Sequence, residues 1–225
     1  MMIASRIALF FLGLSLAVSP ALAKRPLPMA ATPVLPTVVN PDPAVQPENV
    51  LFLDLSNGGR VTIRLMPEWA PNHVERIKTL VKQGFYNGII FHRVIDGFMA
   101  QTGDPTGTGQ GGSKLPDLKA EFNSMPHLRG TLSMARTDSP DSANSQFFIV
   151  FYPRFALDRK YTVFGRVIGG MDVVDTIERG EPPEHPTKIL QASMAPDNMP
   201  RPVIAPPAAL PAPITADQLS NSKSN

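Results

Sequence analysis

Hydrophobic and polar residues alternate in two short runs, Val50–Leu55 and Val61–Leu65, which flank the tripeptide Asn57-Gly58-Gly59. A period of two is typical of β-strands, and an Asn-Gly pair between two such runs is a strong hairpin signal. The pattern therefore predicts a β-hairpin over residues 50–65.

The next segment has helical periodicity. Pro71 suits a first helical turn and Gly84 suits a helix exit. Between them, four apolar residues recur at helical spacing: Val74, Ile77, Leu80 and Val81. The segment GGMDVVDTIERG, residues 169–180, predicts a second, shorter helix.

Six further short segments have the composition of strands: Ile89–Ile95, Phe98–Thr102, Gly130–Ala135, Gln146–Val150, Thr162–Val167 and Thr187–Met194. Eight short strands with only two helices favour an antiparallel sheet that closes on itself. We expect a mainly β fold, a closed eight-stranded antiparallel β-barrel capped by two α-helices.

Composition divides the chain into four segments. Residues 1–23 combine Arg6, a 12-residue apolar run and the ending Ala21-Leu22-Ala23, the pattern of a secretory signal peptide. A membrane anchor is the alternative, but a span needs about 20 apolar residues. Residues 24–48 and 196–225 each contain seven prolines and neither glycine nor aromatic residues. They predict a disordered spacer and a disordered tail around one domain, residues 49–195.

Charge and cysteine content exclude several classes of protein. The absence of cysteine excludes disulfides, thiol nucleophiles and thiolate metal sites. The formal charge of +2 falls to +1 when Arg6 is removed with the signal peptide, so no nucleic-acid partner is implied. We expect a soluble monomer on the secretory route, in a bacterial periplasm, with no membrane insertion after cleavage.

Three common chemistries lack their signatures. The glycine-rich stretch GDPTGTGQGGSK, residues 103–114, does not have the Gly-Lys-Ser/Thr ending of a phosphate-binding loop. No nucleophile-elbow pattern is found, and a structural role is expected for His92. The histidines do not have the spacing of zinc ligands: His73, His92, His127 and His185. No cofactor and no metal are expected.

The stretch FHRVIDGFMAQTGD, residues 91–104, places an arginine among side chains that would otherwise be buried. A guanidinium is costly to remove from water, so Arg93 requires a carboxylate partner, a ligand or an exposed position. Alternation in a strand places Phe91, Arg93 and Ile95 on one face. With the segments 131–152 and 155–167, this stretch predicts an apolar pocket rimmed by one cation and by amide groups.

Three motifs resemble the cyclophilin family of peptidyl-prolyl cis-trans isomerases: FHRVIDGFMAQTGD, LSMAR followed by NSQFFI, and LDRKYTVFGRVIGGMDVVDTI. The resemblance extends from about residue 50 to residue 194 and includes neither flank. It implies a barrel closed by two helices, an active groove on its outer face and no cofactor. It also implies proline-containing peptides and unfolded or partly folded exported proteins as partners.

The resemblance implies roles for ten residues. Arg93 corresponds to the catalytic arginine, and its guanidinium is expected to interact with a ligand. The remaining nine are expected to bind substrate, at the proline pocket or along the groove: Phe98, Met99, Gln101, Ala135, Arg136, Gln146, Phe148, Leu157 and Tyr161. Because arginine stays charged throughout the usual pH range, the rate should be nearly level from about pH 6 to 8.

The motifs also depart from the family pattern. Ala156 stands where the family often has tryptophan, and Phe155 is a candidate to fill that wall. Arg136 replaces a groove asparagine and Tyr161 a histidine. The tryptophan change bears on affinity for cyclosporin-type inhibitors more than on catalysis.

Two alternatives remain open. The domain could bind proline segments as a chaperone or scaffold without turnover. The Pro-rich flanks could recruit partners or occupy the groove of a neighbouring molecule.

Overall fold

The computed structural model of the chain describes residues 35–203. The expected signal peptide, the first part of the spacer and most of the tail lie outside the described residues. Ten elements follow in order: β1 Val50–Leu55, β2 Arg60–Leu65, α1 Pro71–Lys82, β3 Arg93–Ile95, β4 Met99–Thr102, β5 Thr131–Met134, β6 Phe147–Val150, β7 Val163–Gly169, α2 Met171–Asp175 and β8 Ile189–Met194. Each corresponds to a predicted element, although β3 begins four residues later than predicted.

The eight strands form one antiparallel sheet in the order β3-β4-β6-β5-β7-β2-β1-β8. The predicted closed barrel is wrong, because the sheet is an open, curled half-barrel with β3 and β8 as its edges. Within residues 35–203 no ladder joins these two strands. The chain before β3 meets the region of β8 through an isolated bridge between Ile90 and Lys188 and through backbone hydrogen bonds, among them Gly88 N–H to the carbonyl of Ile189.

Both helices pack against the sheet, α1 against β8 and α2 against β2. Pro71 is the first residue of α1, and Gly84 follows its end with φ +68°, a conformation that glycine adopts without strain. The four apolar residues predicted for its inner face are all buried: Val74, Ile77, Leu80 and Val81.

The main core lies between the sheet and the helices. Phe147 makes edge-to-face contacts with Tyr86 and Phe164, with ring centroids 5.6 and 6.0 Å apart. Phe91 also belongs to this core, and not to the face of Arg93 as expected. The reason is that regular strand alternation begins only at Arg93, the first residue of β3.

Residues 35–48, the part of the expected spacer that the structure describes, pack on the domain. Arg64 is only 2% exposed and has no carboxylate partner among residues 35–203. Its guanidinium instead donates hydrogen bonds to four backbone carbonyls: Asn40, Asp42, Val45 and Gln46. The buried charge is therefore compensated by the backbone of this segment.

A small apolar cluster holds the beginning of the same segment. Leu35 and Val39 pack against buried residues that include Trp69. The indole Nε1–H of Trp69 donates to the carbonyl of Pro36 at 2.8 Å. Trp69 is the only tryptophan of the chain, so its fluorescence reports on this contact.

We expect Arg64→Met to release residues 35–48 from the domain. The substitution leaves carbonyls without donors and should lower the free energy of unfolding by about 1–3 kcal/mol. Red-shifted Trp69 emission and faster proteolysis within residues 35–48 would report the release. Arg166→Met is the matched control, because Arg166 donates to the carbonyl of Arg129 instead. Unchanged emission and proteolysis in Arg64→Met would contradict the clamp.

Candidate active site

Strands β3, β4 and β6 present two different apolar surfaces on their two faces. Val94 pairs with Ala100, and Ala100 pairs with Ile149, and all three belong to the main core. The neighbouring pair, Ile95 and Met99, belongs to a second cluster. Because side chains alternate along a strand, this cluster lies on the opposite face of the sheet.

The second cluster contains all six apolar and aromatic residues that the resemblance assigns to the substrate site. Met99 and Phe148 are almost completely buried in it. The ring of Tyr161 meets Phe148 edge to face at 5.9 Å. The full set is Ile95, Phe98, Met99, Ala135, Phe148, Val150, Leu157 and Tyr161. We call this set the apolar pocket; sequence reasoning did not assign Ile95 or Val150 to it.

A row of polar side chains runs beside the apolar pocket. Gln101 lies between Arg93 of β3 and Phe148 of β6 in strand register. Its Nε2 donates to Oε1 of Gln146 at 2.9 Å. Gln146 in turn donates from Nε2 to the carbonyls of Gly109 at 3.0 Å and Gly111 at 2.7 Å.

The hydrogen bonds along this row all run in the same direction, from Arg93 through the two glutamines to the glycine-rich stretch. Because both glutamine side chains donate through Nε2, the atom of Gln101 that faces Arg93 is Oε1. It lies 3.5 Å from Nη1 of Arg93, at the outer limit of a hydrogen bond. The structure therefore brings Arg93, Gln101 and Gln146 together beside the pocket.

Arg93 also has a carboxylate partner that sequence reasoning missed. Its Nε donates to Oε2 of Glu181 at 2.7 Å. The two side chains are 42% and 52% exposed, so the pair is a surface ion pair. Such pairs stabilise a fold by only about 0–1 kcal/mol, so folding alone gives little reason to keep this arginine.

A groove of about 620 Å³ continues from the pocket. Five of its lining residues are predicted site residues: Gln101, Ala135, Arg136, Gln146 and Tyr161. Residues 109–113 of the glycine-rich stretch also line it. The groove thus extends the apolar pocket with a more polar surface.

Asp104 holds the glycine-rich stretch in shape. It is buried, and its carboxylate accepts hydrogen bonds from backbone N–H groups at four positions: Thr106, Thr108, Gly109 and Gly111. Burial alone would raise the pKa of Asp104, but hydrogen bonds from Thr106, Gly111 and Gly109 lower it to about 2. The stretch is therefore a structural loop around a carboxylate, consistent with its missing phosphate-loop signature.

Arg136 stabilises one wall of the groove. Its guanidinium lies 4.5 Å from the ring centroid of Tyr161 and donates to the carbonyls of Lys160 and Thr137. Arg136, which stands where the family pattern has asparagine, thus fixes Tyr161, which stands where it has histidine. Phe155, in contrast, is 64% exposed and is not part of the apolar pocket, so it does not replace the missing tryptophan.

His127 supports the pocket from the buried side and was not identified from the sequence. Its ring stacks on Phe148 at 6.2 Å, and its Nδ1 lies 2.8 Å from Oδ1 of Asp158. Burial lowers the pKa of His127, although Asp158 acts in the opposite direction. The neutral ring therefore donates from Nδ1 to Asp158, the residue that follows Leu157.

His92, for which a structural role is expected, is buried, and neither of its ring nitrogens has a hydrogen-bond partner within residues 35–203. No group of three acidic or histidine side chains in this range is arranged to hold a metal ion. No helix in the same range has the length and apolarity needed to cross a membrane.

Residues 52–194 match the family model described as cyclophilin type peptidyl-prolyl cis-trans isomerase/CLD. The chain belongs to the cyclophilin family. It is 48% identical over 170 residues to a probable peptidyl-prolyl cis-trans isomerase of Brucella suis, covering 68% of this chain and 86% of the relative. The activity is accordingly peptidyl-prolyl cis-trans isomerisation.

Solved structures agree with this assignment. A cyclophilin from Hirschia baltica is 34% identical, with a TM-score of 0.64, covering 69% of this chain and 77% of that one. A cyclophilin-type isomerase from Cryptosporidium parvum, crystallised in the presence of the dipeptide Ala-Pro, is 28% identical with a TM-score of 0.60. That match covers 64% of this chain and 98% of the other.

The buried histidines predict how stability depends on pH. Burial lowers the pKa of His73, His92 and His127 in the folded chain. The unfolded chain binds protons near its ordinary histidine pKa of about 6.5, where the folded chain does not. The free energy of unfolding should therefore fall as the pH drops below about 6.5 and level off above it.

Urea unfolding at several pH values tests this expectation. His127→Gln should flatten part of the acidic decline, whereas a substitution of the exposed His185 should leave it as in the wild type. A urea midpoint that does not change with pH in the acidic range would show that the rings of His73, His92 and His127 are not buried in the neutral form.

Proposed function

We propose that this cyclophilin accelerates rotation about X-Pro bonds through Arg93, which stabilises the twisted amide while the apolar pocket holds the proline ring. The observation that carries the proposal is the placement of Arg93. It is directly opposite Gln101 in strand register, on the face of the sheet that carries Met99 and Phe148.

To catalyse this reaction, the site has only to bind the twisted amide more tightly than the planar amide. Rotation about an amide has a barrier of about 18–20 kcal/mol because the nitrogen lone pair is conjugated with the carbonyl. In the twisted state the lone pair returns to nitrogen, which becomes a better hydrogen-bond acceptor. A guanidinium beside that nitrogen binds the twisted state better than either planar state, and this difference lowers the barrier.

The arrangement of the site supports holding the peptide on both sides of the bond. The apolar pocket offers Met99 and Phe148 to the proline ring, because both belong to a cluster that is separate from the main core. Gln101 is held by Gln146, so its amide is already oriented before a peptide binds. Fixing one side of the amide lets the other side rotate without loss of the complex.

Binding without turnover is the alternative from another functional class. A module that only binds proline segments needs the apolar pocket but has no need of a cation beside it. The half-exposed Arg93 favours an enzyme, since its ion pair adds little to folding stability.

Arg93→Ala should retain the fold and lose most of the isomerase activity. Several kcal/mol of transition-state stabilisation are assigned to this group, and each 1.36 kcal/mol corresponds to about tenfold in rate. The measurement is a protease-coupled assay on a short proline peptide, with circular dichroism to check the fold.

The matched control for this prediction is Arg129→Ala. Arg129 forms a similarly exposed ion pair with Asp175 and does not belong to the apolar pocket or line the groove. Equal activities of the two variants would refute the role of Arg93, whereas binding without turnover would be the better account only if the wild type itself showed no activity in this assay.

We further propose that residues 1–23 direct export and are removed, and that the mature chain acts in the periplasm as a monomer on unfolded or partly folded exported proteins. The support is the Ala21-Leu22-Ala23 ending after the apolar run. Uncatalysed proline isomerisation takes tens of seconds, long enough to delay folding after export.

Expression of the full chain in a Gram-negative host tests the export proposal. We expect a periplasmic protein whose sequence begins at Lys24, and we expect Ala21→Lys with Ala23→Lys to block its cleavage. Cytoplasmic retention of the wild type with Met1 still attached would contradict export. Gel filtration of the mature chain reports whether it is a monomer.

A further inference from the structure

We propose that Glu181 is a positioning residue for Arg93, orienting its guanidinium toward the apolar pocket. The inference rests on the proposed role of Arg93 in turnover. It assigns a function to the loop between α2 and β8, which contributes no residue to the apolar pocket or the groove.

The backbone places Glu181 beside Arg93 independently of their side chains. An antiparallel bridge pairs Val94 with Gly180, with hydrogen bonds of 2.8 and 2.9 Å in the two directions. In an antiparallel pair, the residue before one partner lies opposite the residue after the other. Arg93 and Glu181 are therefore neighbours across this bridge.

The loop that carries Glu181 is constrained on both sides. Gly180 has φ +146°, and a Cβ atom there would lie 2.5 Å from Cα of Pro183, so only glycine fits. Glu178 accepts a hydrogen bond from the backbone N–H of His185 at 3.0 Å and donates its own N–H to Thr187. The carboxylate of Glu181 is thus presented from a closed loop and not from a free chain.

The contacts of the Arg93 guanidinium leave its Nη2 group available as a hydrogen-bond donor. Nε donates to Glu181 at 2.7 Å, and Nη1 lies 3.5 Å from Gln101. Within residues 35–203, Nη2 has no acceptor that meets hydrogen-bond geometry. Because the guanidinium is planar, holding Nε on one side and Nη1 near the other fixes the plane in which Nη2 donates.

Glu181 acts on Arg93 more by orienting its guanidinium than by neutralising its charge. Both side chains are about half exposed, so water and salt screen the attraction that a nearby carboxylate has for the cation. The direction of the Nε–H bond is not screened in this way. Without Glu181, the arginine side chain would rotate among several conformers, and fewer of these would direct Nη2 at a prolyl nitrogen.

Three variants separate orientation from charge. We expect Glu181→Ala to lower kcat by about tenfold with little change in KM, as for a group that is misplaced in the transition state. Glu181→Gln should retain most activity, because the carboxamide oxygen can still accept from Nε. Glu184→Gln removes the same charge from an exposed residue of the same loop and should act like the wild type.

A double substitution shows whether Glu181 acts through Arg93. Glu181→Ala in the Arg93→Ala background should have no further effect on kcat, whereas a loop that merely supports the fold would lower it again. The Nε–H signal of Arg93 in NMR spectra gives a second readout. It should be sharp and slow to exchange in the wild type and lost in Glu181→Ala, whatever the activity.

The outcomes distinguish this inference from the proposed function. Full activity of Arg93→Ala would remove the proposed mechanism while the NMR signal still reported the contact. Activity of Glu181→Ala equal to that of the wild type would overturn the positioning role, and activity above it would show in addition that the carboxylate competes with substrate for the guanidinium. A loss in Glu184→Gln equal to that in Glu181→Ala would overturn it in favour of the net charge of the loop.

Discussion

The register of β4 between β3 and β6 is the constraint on which the site depends. It places Ala100 in the main core and its neighbours Met99 and Gln101 on the opposite face. A slip of one residue would exchange these faces, exposing Ala100 and burying a glutamine. Since burial of the core penalises that slip, the force that folds the sheet also aligns Arg93, Gln101 and the apolar pocket.

The polar row is ordered by contacts at both of its ends. At one end Gln146 donates to two carbonyls of the glycine-rich stretch, which Asp104 holds in place through four backbone N–H groups. At the other end Arg93 meets Glu181. Every donor between these ends has the same direction, so a peptide meets amide groups that are already oriented. Preorganised dipoles of this kind need little rearrangement during a reaction.

Features of the fold that depend on local sequence patterns were predicted, whereas contacts between residues distant in the chain were not. Strand periodicity and the Asn-Gly turn predicted the order of strands and helices along the chain, and the motifs predicted six of the eight members of the apolar pocket. The contacts of Glu181, His127 and Arg64 were not predictable, because their partners are distant in sequence: 88 residues for Glu181 and Arg93, and 31 for His127 and Asp158. Nor does a count of strands show whether the two edge strands of a sheet pair; here they do not.

The sequence by itself determined which segments become strands, which side chains can be buried, and that an arginine stands among apolar residues in a cyclophilin motif. These properties are local, because they depend on spacings of two to four residues. Only the tertiary structure decided that the half-barrel stays open, that residues 35–48 are clamped by Arg64, and that Arg93 is paired with Glu181. The physical reason is that such contacts are made between backbone segments far apart in the chain, and their geometry exists only once the sheet has curled.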